Sequence, residues 1–146
     1  MNENMGKSRT SLFLMELIIV ILFFSIASAV CMQLFAKAHL TSVKTKELNH
    51  AVAIAQSYAE VMRGTDGSMD SIVAEFPEAI VTDNYMEIFY DSDFKVCTPD
   101  AASYVSDVTI TPNGAIQNIT IVFVKLSDYT EVYRLDATKY MNTPKG

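Results

Sequence analysis

The sequence predicts an α+β chain: a long N-terminal helix packed on a small antiparallel β-meander. Three observations carry this. No Gly or Pro lies between Lys7 and Arg63, and those residues are the usual helix breakers. Leu12 to Phe35 is an apolar run interrupted by one charge, Glu16. After Pro77, short β-prone runs alternate with turn signals.

The apolar run, LFLMELIIVILFFSIASAVCMQLF, is long enough as a helix to cross the ~30 Å hydrocarbon core of a bilayer. Leu12 to Phe24 also has the length of a secretory h-region, and Ala27-Ser28-Ala29 is a small-x-small triplet. Glu16 inside that region, and apolar residues from Val30 to Phe35 beyond the triplet, favour a retained span instead. Residues 12–35 are therefore expected to be transmembrane.

Past the span the sequence stays helix-friendly. Leu48, Ala51, Ala55, Tyr58 and Met62 recur at three and four, with Val52 and Ile54 widening the stripe. Gly64 after Arg63 reads as a helix stop. One helix from about Leu12 to Arg63 follows, apolar all round in its first half and amphipathic over 36–64. The amphipathic stripe needs a cover, and residues 65–146 are the candidate within the chain.

In those residues Met69, Ile72, Val73 and Phe76 are spaced as one face of a short helix stopped by Pro77. Tyr85–Tyr90 and Phe94–Cys97 flank Asp91-Ser92-Asp93. Tyr104–Thr111 and Ala115–Leu126 flank Pro112-Asn113-Gly114, and Thr130–Lys139 follows Ser127-Asp128. Consecutive hairpins imply a meander of four or five strands. A sheet that small is marginal alone, so one face is expected on the helix.

The chain has 146 residues and a net charge of −6. The leader, residues 1–11, is basic through Lys7 and Arg9, and residues 36–64 are also net positive. Residues 65–146 carry thirteen acidic against five basic side chains. An acidic domain argues against direct nucleic-acid binding, which needs cations on phosphates. By the positive-inside count the two flanks of the span nearly tie, so charge leaves its direction open. Cys31 and Cys97 lie in different regions and are not expected to pair.

A carboxylate inside a membrane helix costs about 2.5–3.5 kcal/mol on insertion scales and is a functional candidate by default. Glu16 sits after a short basic leader in Ser11-Leu12-Phe13-Leu14-Met15-Glu16-Leu17. This segment resembles the cleavage and methylation motif of type IV pilins and type II secretion pseudopilins. The resemblance covers residues 7–35 by motif and the rest by layout. It implies a cut between Ser11 and Leu12 by a prepilin peptidase, N-methylation of Leu12, and a register role for Glu16 as fifth residue of the mature chain. It also implies a cytoplasmic leader, an outer C-terminal domain, and as partners other pilin or pseudopilin subunits and a membrane platform protein. Ser11 stands where the family has Gly, and Leu12 where it usually has Phe. The helix-bending Pro and the C-terminal disulfide of many major pilins are absent, which points to a minor subunit.

Other features carry less. His39 and His50 are too far apart on a helix to share a metal and read as surface histidines. One pseudopilin subfamily binds calcium, but Asp91 and Asp93 alone fall short of a calcium-loop pattern and read as an acidic turn. Asn118-Ile119-Thr120 matches a glycosylation pattern but falls within a predicted strand. No Ser-His-Asp set, Cys-His pair or Gly-rich phosphate loop suggests an enzyme, and no cofactor is expected. The rival to a filament subunit is an uncleaved bitopic protein whose outer domain binds a ligand or partner.

Overall fold

A computed structural model describes residues 3–83 and 85–141, with side chains from Arg9 onward. The order is α1 (Glu3–Gly64), α2 (Met69–Glu75), β1 (Ile80–Thr82), β2 (Tyr85–Tyr90), a 3-10 turn at Pro99–Ala101, β3 (Tyr104–Asn113), β4 (Ile116–Lys125) and β5 (Thr130–Tyr140). The α+β architecture is as the sequence predicts: a long N-terminal helix packed on a five-stranded antiparallel sheet. The helix begins earlier than expected, at Glu3 rather than Leu12, because nothing but Gly6 opposes helix in the leader, and one Gly costs only about 0.5–1 kcal/mol. The chain divides into two compact units, Met1–Lys44 and Thr45–Gly146.

In the first unit, α1 is apolar and exposed around its circumference from Leu12 to Phe35. By length and composition this helix is able to cross a membrane. Within it the Ser25 hydroxyl donates to the Ile21 carbonyl at 2.8 Å. Such back-bonding one turn upstream satisfies a hydroxyl without water.

In the second unit the strands follow sequence order, β1-β2-β3-β4-β5, all antiparallel. The core lies between one sheet face and the second half of α1. Ala51, Ala55, Tyr58 and Met62 of α1 and Ile72 of α2 meet Met86, Ile88, Val108, Ile110, Ile119, Ile121 and Phe123. The predicted stripe is right with one correction. Leu48 is 43% exposed, and Glu47, one residue earlier, is 9% exposed. Glu47 is four residues before Ala51, so it, not Leu48, extends the buried line. In α2, Ile72 is buried and Met69, Val73 and Phe76 pack against the core, with the Ser68 hydroxyl capping the Ser71 amide.

Two strand expectations need correction. Phe94–Cys97 forms no strand. It folds back through a single bridge, Tyr90 to Val96, with the Asp91 amide donating to the Lys95 carbonyl. Phe94 adopts a left-handed φ of 62°, which turns its ring into an aromatic stack and breaks the extended path. β1 is an additional strand, only three residues long and paired with β2. The β3–β4 turn is tighter than predicted: Asn113 faces Ile116 across the ladder, leaving Gly114-Ala115 as the turn. Gly114 has φ 63°, the first-position requirement of a type II′ hairpin. Pro112 is tolerated inside β3 because β2 begins at Tyr85, opposite Thr109, and makes no ladder with β3 beyond it.

Candidate functional site

The residues singled out by motif all lie on α1. Arg9, Ser11, Leu12 and Glu16 are exposed on continuous helix; the Lys7 side chain lies outside the described residues. Ser11 and Leu12 therefore sit within helical backbone, not at its start. Leu12 and Glu16 are four apart and share a face one turn from each other, with Met15, Ile19 and Val20 beside them. Glu16 is the single ionisable side chain on the helix between Arg9 and Cys31, so any neighbour that covers this face meets one carboxylate in an apolar surround. Buried without a partner, such a charge is costly, which makes the position selective for a cation.

No family model, curated protein or solved structure matches this chain. The functional reading rests on the residues themselves.

The second unit contains polar clusters that the sequence did not announce. The Glu47 carboxylate accepts from Lys125 Nζ at 2.6 Å and from the Tyr104 hydroxyl at 2.9 Å. Burial alone raises the Glu47 carboxyl, but the hydrogen bonds from Lys125 and Tyr104 outweigh it and hold the group below the ordinary carboxylate range. Burial and then the Glu47 contact push the Tyr104 phenol up to about 12. Deeper in, the Tyr58 hydroxyl bonds to the Tyr90 hydroxyl at 2.5 Å and to Ser106 at 2.8 Å. Burial pushes both phenols above their usual value, that of Tyr58 well above it. Each cluster ties α1 to the sheet, Glu47 to β3 and β4 and Tyr58 to β2 and β3.

On the opposite sheet face Glu87 and Asp107 sit directly across β2 and β3, with the Tyr85 hydroxyl donating to Glu87 at 2.9 Å. Burial raises the Asp107 carboxyl, Tyr85 partly offsets this, and Glu87 adds to it.

The Asp91 carboxylate accepts from the Asp93 and Lys95 amides, so it is spent on its own turn. Among the described residues no group of three His, Cys, Asp or Glu side chains is placed to hold a metal ion. His50 is not a plain surface histidine: its ring stacks on Phe94 at 4.2 Å and 9°. Phe94 stacks in turn on Tyr104. Asn118 lies mid-strand in β4, and both cysteines are free.

Proposed function

We propose that this chain is a pilin-like or pseudopilin-like subunit, of the minor kind, that a prepilin peptidase cuts between Ser11 and Leu12 and methylates at Leu12. The subunit inserts in the cytoplasmic membrane with its leader inside. It then joins a type IV-like pilus or a type II secretion-type pseudopilus, in a system serving secretion, DNA uptake, adhesion or motility. The observation that carries this reading is Glu16, the one charge between Leu12 and Phe35, about one turn past Leu12 on an exposed apolar helix.

The chemistry follows from that placement. Cleavage removes the leader cations and creates an α-amino group at Leu12. In a bundle of parallel helices, the amine of one copy pairs with Glu16 of the next. In a low-dielectric surround the unpaired alternatives are penalised by several kcal/mol, so the pair selects one axial offset. The helix N-terminus adds a favourable field for the carboxylate. Because Ser11 and Leu12 lie in helix, the peptidase must receive the first turns unwound.

The test is the mature N-terminus, read by mass spectrometry of protein extracted from its native membrane. A chain beginning at N-methylated Leu12 supports the proposal. A chain beginning at Met1 or Asn2, with the peptidase present, overturns it in favour of an uncleaved bitopic protein. A start at Val30 overturns it in favour of a secreted domain. In a processed chain, Glu16→Ala is expected to insert normally and fail to assemble; entry into filaments at the normal rate would refute the register argument.

A further inference from the structure

We propose that residues 36–46 of α1 form a docking face for the acidic β1 edge of a second copy of this chain. Leu40 and Val43 are 62% and 42% exposed on this stretch. Lys37 and Lys44 lie three residues before and four after Leu40, so all three share a helix face, and Lys46 follows. No acidic residue occurs between Glu16 and Glu47. Among the described residues the ion pairs are Lys125–Glu47 and Arg134–Glu131, and none of them involves these three lysines.

The complement lies in the other unit. Residues 64–94 hold eight acidic and no basic side chains. Within them β1 is an outer strand with all three residues exposed, Ile80 at 47% and Val81 at 38%. Exposed Glu78 and Asp83 flank it. Each surface is thus an apolar pair between like charges, and the two surfaces carry opposite signs. Apolar contact supplies the area, and charge selects the partner and the register.

Anionic lipid is the other occupant of a basic segment beside a membrane span. Lys44 lies nine residues beyond Phe35, about 13 Å along the helix. The headgroup layer is only about 5–8 Å deep. Lys37 falls within it and Lys44 beyond it, which favours protein. The contact joins two different patches, so it is heterologous, and it needs no more than two adjacent copies. It rests on the filament reading for the parallel arrangement of the copies.

The test is carbodiimide coupling of lysine to carboxylate in native membranes, with full-length chain expressed in isotopically labelled and unlabelled forms. The expected product is a mixed-label peptide joining Lys44 to Glu78 or Asp83. Lys37→Glu with Lys44→Glu should reduce mixed-label coupling between the two segments at least tenfold, and adding Glu78→Lys with Asp83→Lys should restore it with amine and carboxylate exchanged between the segments. Absence of the mixed-label product, or a yield unchanged by reversal, overturns the contact. So does a reversal whose one effect is to release the chain's 36–46 segment from phosphatidylglycerol vesicles. The N-terminal mass of the same samples keeps the readings apart. A methylated Leu12 without the cross-link refutes this contact alone, and a reversal-sensitive cross-link on an uncut chain refutes the pilin reading alone.

Discussion

Replacing Tyr58 by Phe removes one oxygen atom from the centre of the core. The ring keeps its place, 4.7 Å from Phe76 in an edge-on contact, so packing is preserved. What is lost is the hydroxyl that bonds to both Tyr90 and Ser106. Each net hydrogen bond is worth about 1 kcal/mol, and a buried partner left unsatisfied costs about 1–3 kcal/mol. Ser106 is fully buried and retains only a long 3.4 Å contact to the Ile88 carbonyl. The expected loss is about 2–3 kcal/mol. For a domain of roughly 100 residues that lowers Tm by about 10 °C or more. The assay is thermal unfolding of the full chain in detergent micelles, followed by near-ultraviolet circular dichroism, where tyrosines dominate. Adding Ser106→Ala removes the stranded hydroxyl, so the double variant should be less destabilised than the two single losses summed, by at least about 0.5 kcal/mol. A Tm within about 3 °C of the parent, together with additive singles, would refute the claim that this network stabilises the fold.

Two carboxylates should respond to pH with opposite signs. Glu47 has a lowered folded pKa, so its stabilisation is present at neutral pH and lost as pH falls below the ordinary carboxylate value of about 4.3; Glu47→Gln should flatten the acid limb of a Tm-versus-pH curve. Asp107 has a raised folded pKa, so it favours the fold at low pH and opposes it as pH rises; Asp107→Asn should raise Tm at pH 7 and leave it unchanged near pH 3, by the same thermal scan. Ile72→Ala empties the one buried position of α2 and should cost about 2–4 kcal/mol, read as a lower urea midpoint. Gly67 has φ 83°, and an added Cβ would lie 2.7 Å from Gln117 Oε1; the side chain can yield but the backbone cannot, so Gly67→Ala should cost about 1–2 kcal/mol in the same titration.

The meander was legible because its signals are local. Asn113-Gly114 and Ser127-Asp128 mark turns between alternating runs, and β3, β4 and β5 follow within a residue or two of the predicted ends. The short strand β1 was not, since three residues bear no period. Phe94 misled because an aromatic in a β-prone run reads as strand until a stacking partner is known, and that partner, His50, lies 44 residues away in the chain. Glu47 was missed because an apolar stripe is read from apolar residues. A buried carboxylate is intelligible only once Lys125 and Tyr104 arrive from distant strands. The motif around Glu16, by contrast, is contained in adjacent residues, and the fold adds only that Ser11 and Leu12, the proposed cleavage point, are helical.

Strand order that repeats sequence order has a consequence for how the domain comes into being. Every ladder joins consecutive strands, so each hairpin can zip as soon as its second arm is available, and loop-closure entropy stays small. The half-helix is different. Its core residues rest on β2, β3 and β4 together, so no single hairpin offers it a complete seat. During synthesis Ala51, Ala55, Tyr58 and Met62 remain uncovered until about residue 125 has emerged. For that interval a chain of this kind carries an open apolar stripe, and quality control has its longest window on it then.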